Sequence, residues 1–296
     1  MATYITELDV STDQAEEQHL QSNGFKKINI NLNQGAGGKT IYLWYKNGPA
    51  KPITRVQFTF NDGMASGLIE AGYKKIDKNL NAGTRGDVIY LWYFRGSGEF
   101  NTPIVKIDFT TDAEGEANKF KDGWEKSACN LNRHAGGNLI FAWVKREKQT
   151  YICNVSATDS YESDDSYYDN GYIRVDENTN RSAGGADVFI WYRQTTDPKR
   201  ALTDLNISTN DIEYQTLQQQ GYTSVSVNLN EKTRGPPVYL WHNNDDSAKP
   251  IQAMSLLLNI HAVQVYNKAG VSVIERNLNT GNAGCTEFLC FYRSKA

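Results

Sequence analysis

One interval constrains this chain more than any other feature: a glycine followed fourteen residues later by a second glycine, six times over. The first glycines are Gly24, Gly72, Gly123, Gly171, Gly221 and Gly270, and the second are Gly38, Gly86, Gly137, Gly185, Gly235 and Gly284. Successive copies lie 48, 51, 48, 50 and 49 residues apart, so the inner spacing is fixed while the outer one drifts. A structural unit with its length changes confined to connecting loops produces that pattern. A unit of about 49 residues cannot bury an apolar face alone, so the copies must pack on one another.

Each copy opens with an alternating run, such as Tyr4–Val10, Ile53–Phe60 or Ile104–Phe109, that reads as a strand. Small polar residues follow in most copies, as in Ser11-Thr-Asp13 and Thr110-Thr-Asp112, and can cap one or two helical turns such as Asp13–Gln21 or Met64–Ala71. The first glycine suits the position that ends such a helix. A second strand is expected from there to Asn-Leu-Asn, then a glycine loop, then a third strand typified by Ile41-Tyr-Leu-Trp-Tyr45. In that third strand one face is aliphatic (Ile41/Leu43, Ile89/Leu91) and the other aromatic (Tyr42/Trp44, Tyr90/Trp92). Both faces are expected to be buried, the aliphatic one along a central axis and the aromatic one under the short helix. The recurrent Asn-x-Asn is expected to bond its own turning backbone.

The spacing resembles that of the multivesicular-body-associated β-prism family, where a Gly-Tyr, an Asn-Leu-Asn, a Gly-Ala-Gly-Gly-like loop and a Tyr-Leu-x-Tyr-Lys strand occur in threefold repetition. Repeat one carries Asn31-Leu-Asn33, Gly35-Ala-Gly-Gly38 and Tyr42-Leu-Trp-Tyr-Lys46. The resemblance spans the whole chain and implies an all-β protein of two tandem threefold-pseudosymmetric β-prisms, residues 1–150 and 151–296. A six-bladed β-propeller is the competing architecture, although its blades usually need four strands. Departures cluster in the second half: Thr179 for the central Leu, Pro236-Pro237 in loop five, and Cys285 and Glu287 in repeat six.

Catalysis finds little support in the sequence. His19, His134, His242 and His261 occupy unrelated repeat positions, no metal-ligand spacing occurs, and no cofactor is implied. Net charge is −3, with 19 basic against 17 acidic residues in 1–150 and 12 against 17 in 151–296, a balance unlike that of a nucleic-acid binder. Without a visible signal sequence or membrane span, the chain reads as cytoplasmic, with Cys129, Cys153, Cys285 and Cys290 as reduced thiols.

The resemblance implies a non-enzymatic binding protein attached peripherally to anionic phospholipid head groups through the first prism. If threefold symmetry brings the glycine loops to one end, Lys39, Arg85 and Arg133 converge there, and Lys74 and Lys75 could extend the patch. The alternative is a carbohydrate-binding lectin or the targeting module of a defence or toxin protein. Gly83-x-x-x-Asp87 imitates the sugar site of related β-prism lectins, which makes Asp87 a candidate ligand. A protein partner or self-association is a third reading.

Overall fold

The computed structural model describes residues 3–295. Repeat one sets the pattern: strand β1 (Tyr4–Ser11), helix α1 (Gln14–Ser22), the short strand β2 (Lys26–Lys27) and strand β3 (Tyr42–Gly48). They form an antiparallel sheet in the order β1-β3-β2, and the other five repeats form sheets of the same order. The protein is thus all-β, with six three-stranded sheets, six short α-helices and three single-turn 3₁₀ helices among the described residues.

Local chemistry fixes each unit. Asp13 accepts from the Glu16 N–H at 2.8 Å while the Glu16 carboxylate returns to the Thr12 N–H at 3.0 Å, a reciprocal cap that starts α1. Gly24 (φ +84°) ends it in a left-handed conformation that a side chain would strain. Repeat five repeats the cap with Asn210, Glu213 and Thr209. The second strand is shorter than expected, only two or three residues in every repeat. The chain pairs at Ile28, makes a tight Ile30 N–H to Ile28 O turn, and rejoins the third strand through Leu32 to Ile41.

The two faces of the third strand are both core, as their composition implies. Ile41, Leu43, Ile89, Leu91 and Ile140 are buried in one cluster, and Val188, Ile190, Val238, Leu240 and Leu289 in another. On the opposite face Trp44, Trp92, Trp143, Trp191 and Trp241 are buried, each donating its indole N–H to a Ser or Thr on the first strand of its own sheet, at 2.8–3.0 Å. Aromatic side chains of the helices close over them: the Phe120 and Trp143 rings meet edge-on at 4.9 Å and those of Tyr214 and Trp241 at 4.6 Å.

Hydrogen bonds between repeats close in threes. Lys39 donates its N–H to Ala82, Asp87 to Arg133, and Asn138 back to Gln34, which joins loops one, two and three in a ring. In the second half Ala186 donates to Glu231 and Cys285 returns to Arg181. The remaining bond is missing because Pro236 stands at the donor position and has no N–H. At the other end Ile53 donates to Ile5 and Ile104 to Ile53, matched by Leu202 to Ile152 and Ile251 to Leu202.

More than the chain itself joins the two sets of three sheets. Phe120, Trp124 and Trp143 share a cluster with Leu257, Tyr266, Val271 and Tyr292, while Leu68, Tyr73 and Trp92 share one with Tyr168 and Trp191. Charges are buried between these clusters. Lys126 reaches Glu116 at 3.0 Å and Tyr266 at 2.9 Å, and Arg174 lies between Asp164 and Asp176 while donating to the Met64 carbonyl. Severed near Thr150, either half would expose these side chains, and the two largest apolar clusters also cross the cut, one taking in Phe189 and the other Ala128.

Candidate functional site: the glycine-loop end

The six loops are built alike. The first Asn of each Asn-x-Asn is a local clamp: Asn31 Oδ1 accepts from the N–H groups of Asn33 (2.9 Å) and Ile41 (3.1 Å), and Asn79, Asn130, Asn178, Asn228 and Asn277 do the same in their own repeats. The second Asn is not local, which its sequence context did not reveal. Asn33 Nδ2 donates to its own Lys39 carbonyl at 2.9 Å and to Ala82 of the next repeat at 3.1 Å, and Asn81 and Asn132 bridge onward to Arg133 and Gln34. Close approach at these bridges explains the second glycine. A Cβ on Gly86 would lie 2.6 Å from the Ala135 Cβ and 2.7 Å from the Arg133 oxygen.

The loops therefore converge, but not all the expected side chains do. Lys39 and Arg85 are exposed and make no ion pair among the described residues; the Lys39 backbone lies against Gly83 of loop two. Arg133 departs from the expected exposed patch. It is only 6% exposed, pairs with Asp87 and with Glu177 at 3.0 Å, and lies over the Phe60 ring. Burial alone would lower its pKa, but Glu177 and Asp87 outweigh that and hold it above the ordinary arginine value. The reason is position: loop three faces the second set of sheets, whose Glu177 needs a partner. Asp87 is engaged by Arg133 and by His134 at 3.1 Å, which leaves its carboxylate poorly placed to receive sugar hydroxyls.

Lys74 and Lys75 are exposed but lie on a strand (Lys74–Ile76) rather than in the loop ring, with Lys75 over the Tyr90 ring at 4.5 Å and 3.5 Å from Asp77. Lys27 sits at the matching place in repeat one, over Tyr42 at 4.4 Å. Lys126 and Arg174, which pair with Trp143 and Trp191 as Lys75 pairs with Trp92, are drawn into the junction.

Sequence reasoning passed over Lys232 and Arg234 in loop five, which are exposed and free of ion pairs among the described residues. Thr233-Arg-Gly235 repeats Thr84-Arg-Gly86, and that match was a usable signal. Loops three and four meet at Glu177, which Arg181 reaches at 2.9 Å beside Arg133, so both loop sets lie toward one end of the molecule. Within the six loops (33–39, 81–87, 132–138, 180–186, 230–236, 279–285) six basic residues stand against two acidic ones. Val88 and Leu139 are exposed immediately beyond loops two and three.

Grooves flank this end. In repeat five one of about 440 Å³ is lined by Asn210, Asp211, Tyr214, Pro237 and Tyr239. Its counterpart in repeat one, about 610 Å³, is lined by Asp13, Glu17, Lys39 and Tyr42. No helix among the described residues is long and apolar enough to cross a membrane. No family model matches the chain, and no curated protein matches it either, so the β-prism resemblance rests on the residues quoted for it.

Proposed function

We propose that this chain is a non-catalytic binding protein of two tandem threefold β-prisms whose glycine-loop end attaches reversibly to anionic membrane surfaces. Inter-repeat bonds that return from loop three to loop one, and from loop six to loop four, support two prisms over one six-bladed ring. The observation that carries the function is the loop charge. In a chain of net charge −3, the loops hold six basic residues against two acidic ones, and Lys39, Arg85, Lys232 and Arg234 stay exposed and unpaired among the described residues. Val88 and Leu139 beside them supply apolar surface of the kind that enters the head-group region. The second prism therefore shares in the binding, and Arg133 serves the junction instead.

Each exposed cation near an anionic bilayer contributes about 1 kcal/mol, so four give roughly 4 kcal/mol, enough for weak attachment. The attraction acts within a Debye length of about 8 Å at physiological salt. Co-sedimentation with phosphatidylserine-containing vesicles should therefore be strong at low salt and fall steeply as salt rises. Replacing Lys39, Arg85, Lys232 and Arg234 together by Ser should remove most of the binding without lowering the melting temperature. Binding absent at low salt, or unchanged in the quadruple variant, would refute the reading.

The repeat-five groove favours a second reading, carbohydrate binding, because Asn210, Asp211 and the two tyrosines combine hydroxyl partners with a ring surface. A glycan array on Asp211→Ala and the wild type would test it: glycan signal lost in the variant supports a lectin, and no glycan signal with intact vesicle binding removes it.

A further inference from the structure

In five of the six loops the second Asn uses its Nδ2 to bridge repeats, Asn279 reaching Glu287 of its own repeat instead, which leaves its Oδ1 pointing elsewhere. In the first three repeats the Oδ1 atoms of Asn33, Asn81 and Asn132 have no hydrogen-bond partner among the described residues, and the three side chains belong to residues only 2%, 1% and 1% exposed. Three buried acceptors in a closed ring are a costly arrangement unless something donates to them.

The second half shows what such a ring accepts. Asn282 of loop six donates through Nδ2 to Asn230 Oδ1 at 2.6 Å and to Asn279 Oδ1 at 3.1 Å. Two oxygens from different repeats therefore converge on one point. Asn282 has two amide hydrogens and serves two acceptors; the third, Asn180 Oδ1, stays without a partner. Its own Oδ1 accepts from the Gly284 N–H at 2.7 Å, which fixes the side chain in place.

At the Asn282 position the first three repeats carry Ala36, Thr84 and Ala135. Neither alanine can donate. The Thr84 hydroxyl is turned into its own loop, donating to the Asn81 carbonyl at 2.8 Å and accepting from the Gly86 N–H at 3.1 Å. No side chain of the loops thus serves the first ring.

We propose that the Asn33, Asn81 and Asn132 amide oxygens bind one hard monovalent cation (K⁺, Na⁺ or ammonium) on the pseudo-threefold axis of repeats one to three. A water has two hydrogens and would leave one of three acceptors unmet, as Asn282 does, whereas a cation serves all three equally. A divalent ion would need carboxylates. The one carboxylate in the three loops, Asp87, is committed to Arg133 and His134. The basic residues of the loop end weaken the site, so it fills at high salt-cation concentration.

The test compares melting temperatures of the full chain in KCl, NaCl and NH₄Cl with those in N-methyl-D-glucamine chloride at equal ionic strength. Small cations should raise the melting temperature by about 2–4 °C. Crystals soaked in rubidium or thallium salt should show an anomalous peak bonded to all three oxygens. Ala36→Asn, which supplies an internal amide as Asn282 does, should fold and lose both the shift and the peak. Asn282→Ala should add a second peak in the other ring. Equal melting temperatures in all salts with no axial peak, an ordered water alone at the ring, or a shift that survives Ala36→Asn would overturn the proposal.

Discussion

Replacing Glu287 by Leu should stabilise this protein, an unusual outcome for a fully buried charged-type residue. Glu287 is 0% exposed and occupies the column where the other repeats carry Ile41, Ile89, Ile140, Val188 and Val238. One of its oxygens accepts from Asn279 Nδ2 at 3.1 Å, and Oε1 has no partner among the described residues. Burial first, then the neighbouring Glu177 and Cys285, push its pKa well above the ordinary carboxylate range; Arg181 and the Asn279 amide offset only part of this. The folded state therefore holds a proton that the unfolded chain, titrating near 4.3, has released. Stability attributable to Glu287 is greatest below that value and is lost as pH rises toward the folded pKa, by up to about 1.4 kcal/mol per pH unit. Even protonated, the orphaned oxygen costs about 1–3 kcal/mol. Asn279 keeps the Cys285 carbonyl at 2.6 Å for one of its two amide hydrogens; the other loses Glu287 as acceptor in the Leu variant, which offsets the relief of the orphaned oxygen, so the gain comes from the titration. Urea titrations of both proteins between pH 5 and 8 should show the Leu variant ahead by at least 1 kcal/mol, with a lead that grows with pH. A lead that is flat across this range, or a variant less stable than wild type throughout, would refute the reasoning.

Three further substitutions probe the packing. Trp143→Ala should cost about 3–5 kcal/mol by denaturant melting, since the ring is fully buried against Phe120 and its N–H is bonded to Thr110; an unchanged midpoint would mean that the aromatic column is not core. Lys126→Ala should cost a similar 3–5 kcal/mol, because it leaves Glu116 buried between the two sets of sheets without its cation, whereas Lys75→Ala at the equivalent exposed position should cost under 1 kcal/mol.

Strand faces and helix stops were legible because they are properties of one repeat. Period-two alternation placed Ile41/Leu43 and Tyr42/Trp44 on opposite faces, and the glycine spacing located the loops, independently of how repeats assemble. The second strand was over-read because Ile28–Leu32 looks extended, although its backbone turns at Ile30 to meet the third strand twice. What the repeat could not reveal is how one set of three packs on the other. Lys27, Lys75, Lys126 and Arg174 hold the same place in their sheets, yet only the last two are buried, because only their faces meet the other set. Arg133 was misplaced for the same reason: its fate is decided by Glu177, a residue of the facing repeat. The acidic residues Asp164, Asp176 and Glu177, all in repeat four, were the available hint that buried cations awaited partners.

Closure of loop three onto loop one underlies the proposed prisms, the loop patch and the asparagine ring alike, and a cross-link tests it directly. With Cys285→Ser to remove the only partly exposed native thiol, Gln34→Cys and Asn138→Cys place cysteines on residues joined by a 3.1 Å backbone hydrogen bond. Mild oxidation followed by proteolytic cleavage between repeats two and three should leave the two fragments covalently joined and separable only by reductant, with the uncleaved protein still monomeric. Fragments that separate without reductant, while a pairing of loop one with loop six cross-links instead, would show a single sixfold ring and contradict the account.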